Sequence, residues 1–277
     1  MAFVVFCLAA AGLLAWLLGY PWWQRRQRRR MQGQPFPQRW RTVLRRRVPL
    51  LARLPADLQM QLKQHIQVFM AEKTFIGCAG LQVTEEMRLV VAAQACLLLL
   101  NRPDAADYFP KVREILLYPG AFVVQRSRID AAGVQQEQRQ ALAGESWSQG
   151  QLILSWQDVL EGAAIPDDGQ NVVLHEFAHQ LDQEQGQARG APLPVRGDMR
   201  YNAQRWQQVF EDAYERLRQQ VFMGEQGLLN PYGAQDPAEF FAVTVEVFFE
   251  QGAALAAEYP AVYAELQGFF RVDPASW

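Results

Sequence analysis

Cysteine and histidine are both scarce in this sequence, and their scarcity limits the chemistry that the chain can carry. Among 277 residues there are three cysteines and three histidines. Cys7, Cys78 and Cys96 lie far apart and form no C-x-x-C pair. This pattern excludes a disulfide framework and a thiolate zinc site, and it fits a reducing compartment.

Charge is missing from one stretch of the chain and acid from another. Residues 1–23 carry no charged side chain, and residues 25–53 carry eleven arginines but no acid. Removing those arginines from the 27 basic residues leaves 16 against 29 acidic residues, a net charge of −13. A basic leader is therefore joined to an acidic body. Half of the residues are hydrophobic and a fifth are charged, which excludes a disordered chain.

The uncharged N-terminal run predicts a transmembrane helix, an anchor over residues 1–23. About twenty apolar residues are enough to cross the hydrocarbon core as a helix. Tyr20, Trp22 and Trp23 lie at one end of the run, where aromatic side chains favour the headgroup layer. Because Arg25–Arg30 follow the run, the positive-inside rule predicts a single-pass protein of the inner membrane whose residues after the helix face the cytoplasm.

This region has two other interpretations. A cleaved leader would carry its positive charge before the apolar run, whereas here the charge follows it. An arginine run can also bind nucleic acid, but beside a membrane helix it more simply contacts anionic lipid. We therefore expect contact with the membrane through residues 1–23 and with anionic lipid through Arg25–Arg30. We expect no direct contact with nucleic acid.

The rest of the chain is predicted to form a linker and one domain. Residues 24–54 are rich in arginine and proline and are interpreted as a juxtamembrane linker. Residues 55–277 are predicted as one α+β domain, mostly helical with a small central β-sheet. Its predicted helices cover about 55–76, 84–100, 169–184, 200–222, the segment from 236 and 260–270, and its strands cover about 113–119, 121–125 and two segments within 134–156.

The chemistry is concentrated in the stretch NVVLHEFAHQLD, residues 171–182, which contains His175-Glu176-x-x-His179. On an α-helix, residues four apart lie on nearly the same face, so both imidazoles can bind one zinc ion. Glu176 lies about 100° further round the helix. From there its carboxylate can take a proton from a water that the metal activates.

Chance is a poor explanation of this motif. With three histidines in the chain, the composition yields roughly 0.002 matches to H-E-x-x-H. Apolar residues such as Val173, Leu174 and Phe177 surround the motif and predict a buried helix. Two histidines and a glutamate are costly there unless something pairs with them. The alternative, solvated helix histidines without a metal, conflicts with these apolar neighbours.

A catalytic zinc site needs a third protein ligand, with the fourth position left for water. His65 stands alone near the predicted linker and is interpreted as a surface or packing residue. The candidates are Glu239 and Glu246 in the segment DPAEFFAVTVEVFF, where seven residues make two helical turns and place both acids on one face. The chemistry favours Glu239 as a ligand, but an ordinary acid of a first helical turn is the alternative, so the residues alone leave the choice open.

These motifs resemble a known family. H-E-x-A-H-x-L-D, then a tyrosine, then D-P-A-E-x-F-A-V-x-x-E-x-F-F, is similar to the Mlc titration factor A family of zinc-dependent peptidases, whose catalytic core is related to anthrax lethal factor. The likeness extends upstream through ILLYPGAFVV and GESWSQGQLILSW to most of residues 55–275 and does not include residues 1–50. It implies a zincin-like metallopeptidase fold.

The resemblance also implies a ligand set. It implies one Zn²⁺ per chain, bound by His175, His179 and Glu239. It further implies that Glu176 is the catalytic base.

Three further residues match family positions. Tyr232 lies seven residues before Glu239, and the resemblance implies that its phenol donates a hydrogen bond to the tetrahedral oxyanion; the alternative is a turn residue. Glu246 and Asp182 are interpreted either as groups that orient a ligand imidazole or as structural acids.

We therefore expect a zinc metallopeptidase with aminopeptidase-like action on a peptide or protein substrate. The resemblance also implies a regulatory tie to a repressor protein such as Mlc. The alternative is a non-catalytic protein that titrates such a repressor and holds a structural zinc. An intact Glu176 and a ligand set of three, which leaves one position open, favour the enzyme.

Two hypotheses concern how the substrate enters. The strand QLILSW, which includes Leu152 and Leu154, is expected to hold the substrate backbone in extended form by strand addition. Residues 157–168 and 186–200 contain glycine and proline and are candidate flaps over the site.

Overall fold

The structure is a computed structural model that describes residues 2–102, 108–120, 122–129, 135–142, 144–147, 150–184, 189–192 and 202–277. Side chains are described in these ranges except at residues 2, 7–11, 15, 122–129, 135–142 and 144–147. The α-helices are α1 (Ala2–Gln32), α2 (Gln38–Arg47), α3 (Ala56–Glu72), α4 (Glu85–Ala95), α5 (Trp156–Ala164), α6 (Val172–Gln183), α7 (Ala203–Met223), α8 (Pro237–Glu250), α9 (Gly252–Glu258) and α10 (Pro260–Phe270). The strands are β1 (Thr74–Gly77), β2 (Glu114–Tyr118), β3 (Phe122–Ile129), β4 (Gln135–Leu142), β5 (Gly144–Trp147) and β6 (Gln151–Ser155). Many helices with few strands fit the predicted α+β class.

Four of the strands form one small sheet in the order β1-β2-β6-β5. β1, β2 and β6 run parallel, and β5 pairs antiparallel with β6 at the outer edge. β3 and β4 form a separate antiparallel pair. Ile115 and Leu117 of β2 and Leu152 and Leu154 of β6 are fully buried in the main core, because alternate side chains of a strand point to the same face.

The prediction that QLILSW offers a free edge to the substrate is wrong. β6 lies between β2 and β5, so both of its edges are already paired in the sheet. Leu152 and Leu154 are buried core residues. The edge strands of the sheet are β1 and β5, and β5, which the chain reaches just before β6, packs beside α6.

Helix α6 and helix α8 pack against each other and are buried along most of their length. Val173 and Phe177 on α6 are fully buried, as are Phe241 and Phe248 on α8. Each such side chain stabilises the fold by about 1.5–3 kcal/mol relative to an exposed position. Polar groups on the facing sides of these two helices are therefore held on a rigid frame.

Several helix starts follow the sequence signals. The Thr84 side chain accepts a hydrogen bond from the Met87 backbone N–H at the start of α4. Asp236 caps α8, with Pro237 at the first helical position, and the helix starts where the sequence predicts it. The predicted helix over 84–100 is interrupted, because α4 ends at Ala95 and tightens into a 3₁₀ turn.

The predicted linker over residues 24–54 is part of the folded body. Its first part continues α1, and after a short turn the chain forms α2 and a 3₁₀ turn over Pro49–Ala52. Phe36, Leu44 and Val48 join the main core with exposures of 7% or less. The many arginines hide this amphipathic pattern in the sequence.

Helix α1 contains the predicted membrane anchor. Among the described residues, no helix combines the length and the apolar character that crossing a membrane requires, so the predicted transmembrane anchor is not supported. Part of the predicted segment, residue 1 and the side chains at 2, 7–11 and 15, lies outside the described residues.

Candidate metal centre

Helix α6 holds the two motif histidines together. The ring centroids of His175 and His179 lie 4.8 Å apart, as the four-residue helical spacing predicts. Asn171 starts the helix, and its side-chain oxygen accepts a hydrogen bond from the Leu174 backbone N–H at 3.1 Å. Both imidazoles are largely buried, with 11–13% of each side chain exposed.

Helix α8 brings a carboxylate to the histidines. Asp236 accepts hydrogen bonds from the backbone N–H groups of Ala238 and Glu239 at 2.9 and 3.0 Å. This cap fixes the first turn of α8, which carries Glu239. Glu246 follows two turns later on the same side, and both acids face α6.

The side chains of His175, His179 and Glu239 form a compact triangle. His175 Nε2 lies 2.9 Å from Glu239 Oε2, His179 Nε2 lies 3.3 Å from the same oxygen, and the two Nε2 atoms are 3.2 Å apart. Bonds of about 2.0–2.1 Å in a tetrahedral zinc site separate neighbouring ligand atoms by roughly 3.3 Å. Within the described residues, this is the one His, Cys, Asp and Glu group compact enough to hold a metal ion. Two imidazoles and one carboxylate fit Zn²⁺ and leave its fourth position for water or substrate.

The electrostatics of the triangle favour a cation. Burial disfavours a charged His175, but the carboxylates of Glu246 and Glu239 outweigh it and raise the pKa of His175 well above its usual value. Burial also disfavours a charged Glu239, yet hydrogen bonds from His175 and His179 lower the pKa of Glu239 well below its usual range. Positive charge among these groups is therefore stabilised, whether a proton or a metal ion supplies it.

Glu246 contacts the far side of the His175 ring. Its Oε1 lies 2.8 Å from His175 Nδ1. An ionised carboxylate only accepts hydrogen bonds, so Nδ1 donates to Glu246, and Nε2 is the ring nitrogen that faces the triangle and can bind a metal once it is deprotonated. The other oxygen of Glu246 accepts the backbone N–H of Asn171. This is the place expected of a group that orients a ligand imidazole.

A buried polar network lies behind Glu246, and the sequence did not predict it. The Asn171 side-chain amide donates to Gln94 on α4 at 2.8 Å, to the Gly162 carbonyl on α5 at 3.2 Å and to Glu250 on α8 at 2.9 Å. One residue thus ties four helices together at the start of the motif helix. The only local signal is that asparagine is a common N-cap residue.

Glu176 and Tyr232 lie beside the triangle. Glu176 is on α6 next to His175 and is 6% exposed. Tyr232 sits in a 3₁₀ turn over Pro231–Ala234, and its ring centroid lies 5.9 Å from that of His175. The Asn230 side chain holds this turn by accepting the Tyr232 backbone N–H at 3.0 Å. The structure therefore brings both predicted catalytic residues to the three predicted ligands.

The contacts of Asp182 favour one of the two roles predicted for it. Its carboxylate accepts the backbone N–H groups of Arg189, Gly190 and Ala191 at 2.7, 2.7 and 3.1 Å. Burial raises the pKa of Asp182, and these three hydrogen bonds partly offset the rise. Asp182 thus fixes the backbone that follows α6, and the alternative of a structural acid describes these contacts better.

The remaining predictions concern His65 and the flaps. His65 packs as expected, with Nδ1 2.7 Å from the Tyr108 hydroxyl. Residues 157–168 are mostly helix α5, which packs on α4 and α6, so much of this candidate flap is a framework element. Of the second candidate, residues 189–192 are described, and 186–188 and 193–200 lie outside the described residues.

Comparison with known proteins gives a consistent result. Residues 22–271 match the family described as glucose-regulated metallo-peptidase M90. The chain is 38% identical over 264 residues to an uncharacterized protein, slr2042, of Synechocystis sp., covering 95% of this chain and 94% of that protein. It is 33% identical over 231 residues to Mlc titration factor A of Pectobacterium atrosepticum, covering 82% and 84% of the two chains. Mlc titration factor A of Salmonella schwarzengrund is 29% identical over 263 residues, or 94% and 93% of the two chains.

Proposed function

The chain belongs to the glucose-regulated metallo-peptidase M90 family, and on this basis we propose that it is a zinc-dependent peptidase. The observation that carries the proposal is the triangle of His175, His179 and Glu239, whose ligand atoms match the spacing of a three-ligand zinc site. A zinc ion bound there would polarise a carbonyl and lower the pKa of a bound water to about 7.

Three residues of this chain have proposed roles beside the metal ligands: Glu176 and Tyr232 in hydrolysis, and Glu246 in orienting His175. Glu176 acts as the general base because it is on the ligand helix, next to His175, and is buried. Tyr232 donates its phenol proton in a hydrogen bond to the developing oxyanion, because its ring lies beside His175. Glu246 holds the His175 ring in the tautomer that presents Nε2.

The proposal is tested by Glu176→Gln in the full-length protein. Glutamine keeps the size of the side chain but cannot take the proton, so we expect loss of peptide hydrolysis with one zinc per chain retained. The matched control is Glu225→Gln at an exposed glutamate after α7, which should leave both properties unchanged. Full turnover by Glu176→Gln would reject the assigned base.

Zinc content, measured by mass spectrometry, tests the ligand set separately. We expect about one zinc per wild-type chain and strongly reduced zinc in His179→Ala and Glu239→Ala. If Glu239→Ala kept its zinc, the third ligand would lie elsewhere. If the folded wild type bound no zinc, the enzyme proposal would fail.

The finer proposal is aminopeptidase-like action with the substrate on the edge strand β5. β5 is one of the two edge strands of the sheet and packs beside α6, the helix that carries the two histidines, so an extended peptide can pair with it. Peptides with a free N-terminus should then be cleaved faster than the same peptides with an acetylated N-terminus. Equal rates on both sets would contradict the aminopeptidase assignment.

A second proposed activity is binding of an Mlc-like repressor protein. The name Mlc titration factor A, carried by relatives that are 29–33% identical, supports it. A pull-down of purified Mlc-like repressor with wild type and Glu176→Gln separates the two activities. Equal binding by both proteins would make titration independent of catalysis, and absence of binding by both would reject this partner.

We further propose that the protein is located at the inner membrane with its catalytic domain in the cytoplasm. Phe3 and Leu18 of α1 are each 78% exposed, and Arg25–Arg30 follow the exposed apolar segment. An exposed apolar surface followed by cations favours an anionic bilayer. Cell fractionation tests this location: recovery of the full-length protein in the soluble fraction would contradict it, and alkaline carbonate extraction would distinguish surface from integral association.

A further inference from the structure

A cavity lies between α2 and α3, on a part of the body that the metal centre does not use. Its volume is about 400 Å³, within the range of roughly 300–1,000 Å³ that is common for small-molecule sites. The apolar residues that line it include Phe36, Leu44, Leu62 and Ile66, all of which are buried at the floor. The cavity is thus a preformed apolar slot in the main core.

Three cations line the same cavity, and no acid does so among the described residues. They are Arg41 and Arg45 on α2 and Lys63 on α3. Arg41 and Arg45 are exposed, and Lys63 is partly buried. The helical spacing of four residues places the two arginines on one side of α2.

The other arginines of α2 behave differently. Arg39 bonds Glu85 at 2.8 Å, and Arg46 and Arg47 both bond Glu86, at 2.7 and 2.6 Å. Arg41, Arg45 and Lys63 form no ion pair with any described residue. One side of α2 is therefore neutralised by α4, while the side above the cavity keeps its positive charge.

We propose that this cavity binds an anionic amphiphile, a single apolar chain with a carboxylate or phosphate head. The chain would fill the apolar floor, and the head would contact the guanidinium groups of Arg41 and Arg45 and the Lys63 ammonium. An uncharged lipid would leave the three cations without an anion. A nucleic-acid backbone would leave the apolar floor exposed to water.

Two sources can supply this chemistry, an anionic lipid of a bilayer or a free fatty acid in water. The bilayer is the source to which the site is assigned, because the exposed apolar half of α1 belongs to the same N-terminal region as α2. The site is distinct from Arg25–Arg30, which lie on α1 and are not among the residues that line the cavity. The cavity is also separate from the metal centre, so the test of this proposal does not depend on the peptidase proposal.

The first experiment titrates the full-length protein, in a neutral detergent, with octanoate by calorimetry. The Arg41→Gln/Arg45→Gln variant should bind octanoate at least about tenfold more weakly than wild type, since two charge-assisted contacts are lost. The matched control, Arg39→Gln/Arg46→Gln, removes the same charge from the same helix at residues that pair with Glu85 and Glu86, and should bind as wild type does. Acetate and octanol should both bind much more weakly than octanoate.

A second variant tests the apolar part of the site without changing charge. Ala52 lines the cavity and is exposed, so Ala52→Trp should fill the slot in a folded protein and weaken octanoate binding. Circular dichroism confirms that each variant is folded. Equal octanoate binding in all variants, equal loss in both arginine pairs, or acetate binding as tight as octanoate would overturn the proposal.

Vesicle flotation identifies the source of the ligand. Wild type should float better with vesicles of phosphatidylcholine and phosphatidylglycerol than with phosphatidylcholine alone. If Arg41→Gln/Arg45→Gln reduces this gain, the bilayer lipid occupies the cavity. If that variant loses octanoate binding but floats as wild type does, the assignment to a bilayer lipid is wrong and a free fatty acid is the ligand.

Discussion

At the scale of single residues, one carboxylate links the metal site to the frame that holds it. Glu246 accepts from His175 Nδ1 through one oxygen and from the Asn171 backbone N–H through the other. The first contact sets the tautomer and the rotation of a ligand ring. The second fixes the carboxylate against the first residue of the ligand helix, so ring and helix are positioned by the same group.

Glu246→Gln is therefore expected to weaken zinc binding without removing a ligand. The amide cannot accept from Nδ1–H and from Asn171 N–H through two equivalent oxygens, so the preferred ring orientation is lost. Zinc affinity, measured by competition with a chelator, should fall about 10- to 100-fold. Glu225→Gln, at an exposed position, should keep wild-type affinity. Wild-type affinity in Glu246→Gln would show that the contact does not orient the ligand.

Tyr232 is the residue whose proposed role depends on its hydroxyl alone. Tyr232→Phe keeps the ring beside His175 and should lower kcat about 10²-fold with zinc content unchanged, because one oxyanion donor is lost. Tyr214→Phe is the matched control, since it removes a hydroxyl that bonds the Ala234 carbonyl of the same 3₁₀ turn. Equal effects of the two substitutions would mean that the Tyr232 hydroxyl supports the 3₁₀ turn and does not donate to the oxyanion.

At the scale of helices, the end of α8 contacts the start of α6 through the carboxyl group of Glu250, which is almost completely buried. Glu250 is 5% exposed and accepts from the Asn171 side chain at 2.9 Å. Burial raises the pKa of Glu250 to about 8, against a smaller opposing effect of that hydrogen bond. The folded protein then binds more protons than the unfolded chain between pH 4.5 and 8, so stability falls as the pH rises through this window.

Glu250→Gln should remove this pH dependence. The wild type should lose about 2–3 kcal/mol of unfolding free energy between pH 6 and pH 9 through Glu250, because the buried group becomes charged. The variant should lose correspondingly less, as measured by urea unfolding at each pH. Glu258→Gln at the end of α9 is the control, and its stability should depend on pH as that of the wild type does. If the free energy of unfolding fell with pH equally in wild type and in Glu250→Gln, the assigned protonation of Glu250 would be wrong.

Signals local in sequence predicted the helices that carry the site. Asp236 followed by Pro237 predicted the start of α8, and apolar periodicity around His175 predicted α6 within a few residues. Helix α5 was missed because it begins at Trp156, directly after the buried strand β6, and the chain shows no break there. The bounds of helix α2 were not predicted, because arginine dominates its composition and prolines flank it.

The parts of the site that were missed depend on contacts between distant segments. Asn171 bonds Gln94 and Glu250, which lie 77 and 79 positions away in the chain. No periodicity or spacing reports such a network, since each residue is unremarkable in its own segment. The ligand triangle was predictable because the motif fixes two of its corners and a resemblance supplied Glu239 as the third.

At the scale of the whole molecule, the N-terminal helix is attached to the body by a partly buried cluster. Arg28 of α1 pairs with Glu72 at the end of α3 through two hydrogen bonds, of 2.7 and 3.0 Å. The Arg28 guanidinium also lies 4.9 Å from the centre of the Tyr108 ring, whose hydroxyl accepts from Gln32 at 3.1 Å. The second half of α1 thus has a fixed direction relative to the domain.

This attachment predicts a coupling between Arg28 and Glu72 that exposed pairs lack. A cycle of Arg28→Met, Glu72→Gln and both together should give a coupling energy of about 1–2 kcal/mol in unfolding experiments. The exposed fractions of these side chains are 12% and 23%, so water screens the pair little. Arg39 and Glu85 form a control pair with exposed fractions of 73% and 45%, and their coupling should stay below about 1 kcal/mol. Similar energies for the two pairs would mean that α1 is held by apolar packing, with Arg28 adding no orientation of its own.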